Sequence, residues 1–76
     1  MQSVHRNYPS LLKEVRRQLA ISQEDLAREL GVSYATVNRW ENGQSKPSKL
    51  ARAQLNAFCE KMQTTGMIDL SEANRG

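Results

Sequence analysis

A chain of 76 residues with 11 Lys+Arg against 8 Asp+Glu, and so a formal net charge of +3, makes one small domain. A chain of this size buries only about 60% of the surface it exposes when unfolded, which leaves no room for a deep catalytic cleft beside a core. The single cysteine, Cys59, excludes an internal disulfide and a cysteine-based zinc site, and the N-terminus has no apolar run of the kind a signal peptide or membrane span needs, so a cytoplasmic location is expected.

In chain order, residues 1–8 form a polar leader expected to be flexible. Pro9 and Ser10 open a first helix to about Ala20, with Leu12, Val15 and Leu19 on its inner side and Ile21 at the corner. Ser22, with Asp25 three residues on, makes an approximate capping box for a second helix, on which Leu26, Ala27 and Leu30 share one face. Gly31 takes the left-handed conformation that ends a helix. Ser33 caps a third helix whose inward stripe is Val37, Trp40 and Glu41, and Asn42-Gly43 ends it. A break of only Gly31-Val32-Ser33 forces two helices to cross steeply, the helix-turn-helix unit. Pro47 and Ser48 then open a fourth helix from Lys49 to about Met62. One side of it closes the domain, and Ala51, Leu55, Phe58 and Met62 offer a second seam. Thr64-Thr65-Gly66 breaks the pattern, so residues 63–76 are expected as a tail, mobile or weakly docked. The boundaries are therefore a leader at 1–8, a folded unit at 9–62 and the tail.

The chemistry lies on the third helix, opposite its inward stripe. Tyr34, Ala35, Thr36, Asn38, Arg39 and Asn42 include neither a large aliphatic group nor an acid. Hydroxyl, amide, phenol and guanidinium groups touch base edges and phosphates, and an Ala methyl can meet a thymine methyl. A three-turn helix with such a face fits the major groove, about 12 Å wide. Charge agrees: between Ser33 and Arg52 the bases are Arg39, Lys46, Lys49 and Arg52, and Glu41 is the only acid.

The motifs SQEDLA, GVS and TVNRWENG, at these offsets, resemble the Xre/Cro family of phage-repressor-like DNA-binding domains over roughly Leu11 to Phe58. The resemblance implies an all-α fold, a compact four- to five-helix bundle of the lambda-repressor-like helix-turn-helix type. It implies double-stranded DNA as the partner, with the recognition helix, about Ser33–Glu41, in the major groove.

Within that frame the base-contact candidates are Tyr34, Ala35, Thr36, Asn38 and Arg39. A guanidinium grips guanine O6 and N7 in bidentate fashion, so Arg39 leads, with a phosphate as its other possible partner. Tyr34 stands where the family often places a polar base reader, and the sugar-phosphate chain is equally open to it. The phosphate-contact candidates are Gln23, Ser33, Asn42, Ser45, Lys46 and Lys49. Gln23 starts the second helix beside exposed backbone N–H groups, and in the family the matching position clamps the DNA backbone and braces the recognition helix. Ser33 divides its hydroxyl between capping and a phosphate, and Ser45 and Lys46 lie in a loop that resembles the family's phosphate-binding loop. Arg52 is open to extending that track or to simple solvation. Arg16 and Glu41 match a family pair that bridges the first and third helices, which is a structural role. The spacing of Trp40 from Val37 places it in the core rather than on a base. His5 has no neighbour that gives it a role.

No Ser/His/Asp or Cys/His set, no phosphate-cradling glycine loop and no metal-ligand cluster stands in the sequence, so no enzyme activity, metal or cofactor is expected. The leading expectation is a small transcriptional regulator, of phage-repressor or antitoxin type, that binds an inverted-repeat operator as a homodimer through the fourth helix and tail. The alternative is a protein-interaction or DNA-targeting module of a larger system, with a protein partner such as a toxin.

Overall fold

In a computed structural model describing residues 7–70, the chain forms α1 (Tyr8–Leu19), α2 (Gln23–Leu30), α3 (Tyr34–Glu41) and α4 (Lys49–Thr64). No strand occurs among the described residues, and the expected all-α class holds. Most of the expected leader and the end of the expected tail lie outside the described residues. Where the leader is described it is helical in part: Asn7 caps α1 by accepting from the Ser10 N–H at 3.2 Å, and Tyr8 is the first helical residue. The helix thus begins one residue earlier than Pro9, because the cap is an Asx side chain with Pro at the second position, where no amide donor is needed.

The other starts follow the sequence. Ser22 Oγ accepts from Asp25 N at 3.0 Å while Asp25 Oδ2 accepts from Ser22 N at 3.2 Å, a complete capping box closed by Asp. Ser33 and Ser48 accept from the N–H groups of Thr36 and Ala51. All four helices end in the same way, with a pair of backbone bonds around a left-handed residue: Ala20, Gly31, Gly43 and Gly66. Three are glycines; Ala20 holds φ 58° against its own Cβ.

α3 packs on α2 and α1, and α4 packs on α2. Leu12, Val15, Leu26, Val37 and Leu55 are fully enclosed, with Trp40 only 4% exposed among them. The inward stripe of α3 is therefore as the periodicity predicts. Leu19 reaches only the edge of the core, and Leu11 takes a buried place instead. On α4, Leu55 is buried in the core, so the predicted second seam loses it and only Phe58, Met62 and Ala51 remain half-buried. Cys59 is buried too.

The segment after α4 departs most from a weakly docked tail. Ile68 and Leu70 are buried in the core. Gln18 on α1 holds this segment by pairing with the Asp69 backbone as a peptide group would: Asp69 N donates to Gln18 Oε1 at 2.7 Å, and Gln18 Nε2 donates to Asp69 O at 2.9 Å. Side chains two apart point the same way on an extended chain, so Ile68 and Leu70 go in together while Asp69 faces out. No described helix is long and apolar enough to cross a membrane, and no described cluster of His, Cys, Asp and Glu is arranged to hold a metal.

Candidate nucleic-acid interface

The scaffold of the site is an ion pair. Glu41 points inward from the last turn of α3 and is 3% exposed. Arg16, in the last turn of α1, grips it in bidentate fashion, Nε to Oε2 at 2.7 Å and Nη2 to Oε1 at 2.9 Å, and its Nη1 donates to Ile21 O at 3.4 Å. Burial disfavours the Glu41 carboxylate most strongly. The hydrogen bonds from Arg16 and Gln23, with the charges of Arg16 and Lys13, outweigh that penalty and leave its pKa below the ordinary 4.5. The same bond raises the Arg16 pKa above its ordinary value, although burial opposes the rise. The pair ties α1 to α3, which fixes the angle at which α3 is presented.

A second layer of side chains extends outward from that carboxylate. Gln23, first residue of α2, donates from Nε2 to Glu41 Oε1 at 3.0 Å. Asn38 Nδ2 donates to Gln23 Oε1 at 3.1 Å, and Asn42 Nδ2 donates to Asn38 Oδ1 at 3.1 Å. Beside Gln23, an open depression of about 540 Å³ lies between the start of α2 and the start of α3, lined by Arg16, Ser22, Gln23, Glu24 and Tyr34.

The remaining candidates divide by exposure. Tyr34 is 52% exposed, and Ala35, Arg39, Asn42, Ser45, Lys46 and Lys49 are also exposed. Thr36 and Asn38 are half-buried. The Ser33 hydroxyl accepts the Thr36 N–H at 3.1 Å and lies 2.9 Å from Thr36 Oγ1, so the two hydroxyls hold one another. Arg52 donates to Pro47 O at 3.2 Å and braces the loop that carries Lys46. Arg16, Arg17 and Arg28 are each ion-paired, to Glu41, Glu14 and Asp25. Among the described residues Arg39, Lys46 and Lys49 join no ion pair.

The sequence named Gln23, Asn38 and Asn42 separately as DNA contacts, and the structure joins them to one another. Their offsets from Glu41 carried no signal of it, because the bonds cross between two helices and a cap. The Gln18 clasp was likewise missed, since a glutamine that binds backbone 51 residues away leaves no local pattern.

A family model described as helix-turn-helix matches residues 12–51, which takes in most of α1, all of α2 and α3, and the start of α4. No curated protein and no solved structure matches the chain.

Proposed function

The chain belongs to the Xre/lambda-repressor-like helix-turn-helix family of DNA-binding transcription regulators, and from that premise we propose that it binds double-stranded DNA sequence-specifically, with α3 in the major groove. One observation carries the reading: the exposed side of α3 runs into the following loop with Arg39, Lys46 and Lys49 held to no carboxylate among the described residues, on a helix whose angle is fixed from behind. Cations left unpaired on one face are available to displace counterions from phosphates, and Arg39 has the geometry to read a guanine.

Arg39, Tyr34 and Ala35 face base edges. Ser45, Lys46 and Lys49 follow one phosphate strand beyond the recognition helix, and Gln23 with the N–H groups at the start of α2 takes a phosphate before it. One such helix covers only a few base pairs, so two copies act together on an inverted repeat with half-sites about 34–36 Å apart, one turn of the duplex. Phe58 and Met62, half-buried, and Met67, 58% exposed, supply apolar surface for that pairing on the α4 side.

Selection from a random duplex pool at near-physiological salt tests this. Enrichment of an inverted repeat with centres about 10 base pairs apart is the expected result. A single enriched half-site would leave α3 as the reader and remove the dimer. Salt-sensitive binding with no enriched sequence would sink the reading and favour an interaction module.

A further inference from the structure

Asn38 stands on the recognition helix among residues suited to base edges, but its amide is already engaged on both ends. It donates to Gln23 and accepts from Asn42, each at 3.1 Å, and it is half-buried where Tyr34, Ala35 and Arg39 are exposed. The direction of these bonds is forced from inside. An ionised carboxylate only accepts, so Gln23 must turn its NH₂ to Glu41 and its oxygen to Asn38. Asn38 must then turn its NH₂ to Gln23 and its oxygen to Asn42. The chain Asn42 → Asn38 → Gln23 → Glu41, clamped by Arg16, thus has one polarity throughout. Each amide of the chain keeps one N–H outside it. That of Asn38 sits on a half-buried side chain whose oxygen and other N–H are both engaged, while Gln23 and Asn42 stand at the two ends of the amide run. Phosphate oxygens only accept.

We propose that Asn38 is a positioning residue and not a base reader: it locks Gln23 and Asn42 as a matched pair of phosphate donors. Sequence discrimination by α3 then falls to Arg39, Tyr34 and Ala35. Thr36, whose hydroxyl is held by Ser33, adds to the frame. The inference rests on the DNA-binding reading above and adds a division of labour to it.

The test compares wild type with Asn38→Ala, a change that suits a helix interior. In the free proteins, the side-chain NH₂ resonances of Gln23 and Asn42 are followed by ¹⁵N-edited NMR; both are expected to shift and exchange faster in the variant. Affinity is then measured for the selected operator and every single-base change of it. The expected result is a loss of about tenfold on all sequences alike, with base preferences unchanged. The Gln23→Ala/Asn38→Ala double variant should lose little more than Gln23→Ala alone. A changed preference at one base pair would make Asn38 a reader and overturn the proposal, as would additive losses or unmoved Gln23 and Asn42 resonances. If wild type enriches no duplex yet the resonances shift, the DNA-binding reading fails and takes the phosphate role with it, while the hydrogen bonds stand.

Discussion

The arginines of α1 and α2 and the arginine of α3 differ in what holds them. Arg16, Arg17 and Arg28 each have a carboxylate within 3.3 Å, whereas among the described residues Arg39 has none and is followed by Lys46 and Lys49 in the same condition. A net charge of +3 spread evenly would say little about partners. With the arginines of α1 and α2 paired and Arg39, Lys46 and Lys49 open on one side, it becomes a directed field. The closed half builds the frame, and the open half is left to meet a polyanion.

Substitutions on the two sides should therefore fail differently. The largest effect is expected from Trp40→Ala, which empties the middle of the frame and costs about 3–5 kcal/mol of stability; chemical denaturation measures it, and a fully folded variant impaired only in DNA binding would contradict the core role. Arg16→Ala strands the buried Glu41 charge and should cost about 3 kcal/mol, the lower end for a broken buried pair, since Arg16 keeps a quarter of its side chain in solvent. Replacing both partners together, Arg16→Met with Glu41→Leu, should recover most of that loss, and a double variant as unstable as Arg16→Ala would show that the pair does more than satisfy itself.

Arg39→Ala is the reverse case. Thermal stability should change by no more than about 0.5 kcal/mol, while operator affinity falls by about 1–3 kcal/mol with preference relaxed at one base pair. A loss uniform over all sequences would place Arg39 on a phosphate. Lys46→Ala should weaken all duplexes equally and reduce the slope of log affinity against log salt by about one; an unchanged slope would remove Lys46 from the backbone track.

Acid tests the closed half. The Glu41 carboxylate titrates below 4.5, because the bonds from Arg16 and Gln23 and the nearby positive charges outweigh its burial. Bonds from Arg17, then Gln18, hold Glu14 down to about 2, and the Ser22 N–H and hydroxyl lower Asp25. Groups depressed on folding add stability that is complete above their unfolded values and is lost as pH falls through the folded ones. The urea midpoint should thus hold steady from neutrality to about pH 5 and fall below 4.5, and Glu41→Gln should flatten that fall. A midpoint that drops between pH 7 and 5 would implicate other groups. The smallest change expected within the frame is a gain: Ala20→Gly relieves a left-handed Cβ and should add about 1 kcal/mol, read as a higher melting temperature.

Much of this is legible in the sequence. The capping box, the two serine caps after it and the Val37/Trp40/Glu41 stripe are local patterns, written within one or two helical turns, and each stands where the periodicity puts it. The segment after α4 was not legible, because MIDL after Gly66 is apolar at three positions of four but too short to show a period, and it acquires its place only by meeting Gln18 and the core. Leu55 was misplaced for a related reason: α4 carries more apolar residues than one stripe needs, and only the position of α2 decides which of them face inward.

The sequence by itself determined the four helices, the serine caps of α2, α3 and α4, the short turn between α2 and α3 and the side of α3 left polar, since all of these depend on residues a few positions apart. Tertiary structure alone decided which polar groups are engaged. Whether Asn38 faces a base or a neighbouring amide, and whether Glu41 is enclosed by Arg16 and Gln23, depends on side chains 15 to 25 residues distant. A hydrogen bond has a reach of about 3 Å and a required direction, and no spacing along the chain encodes either one.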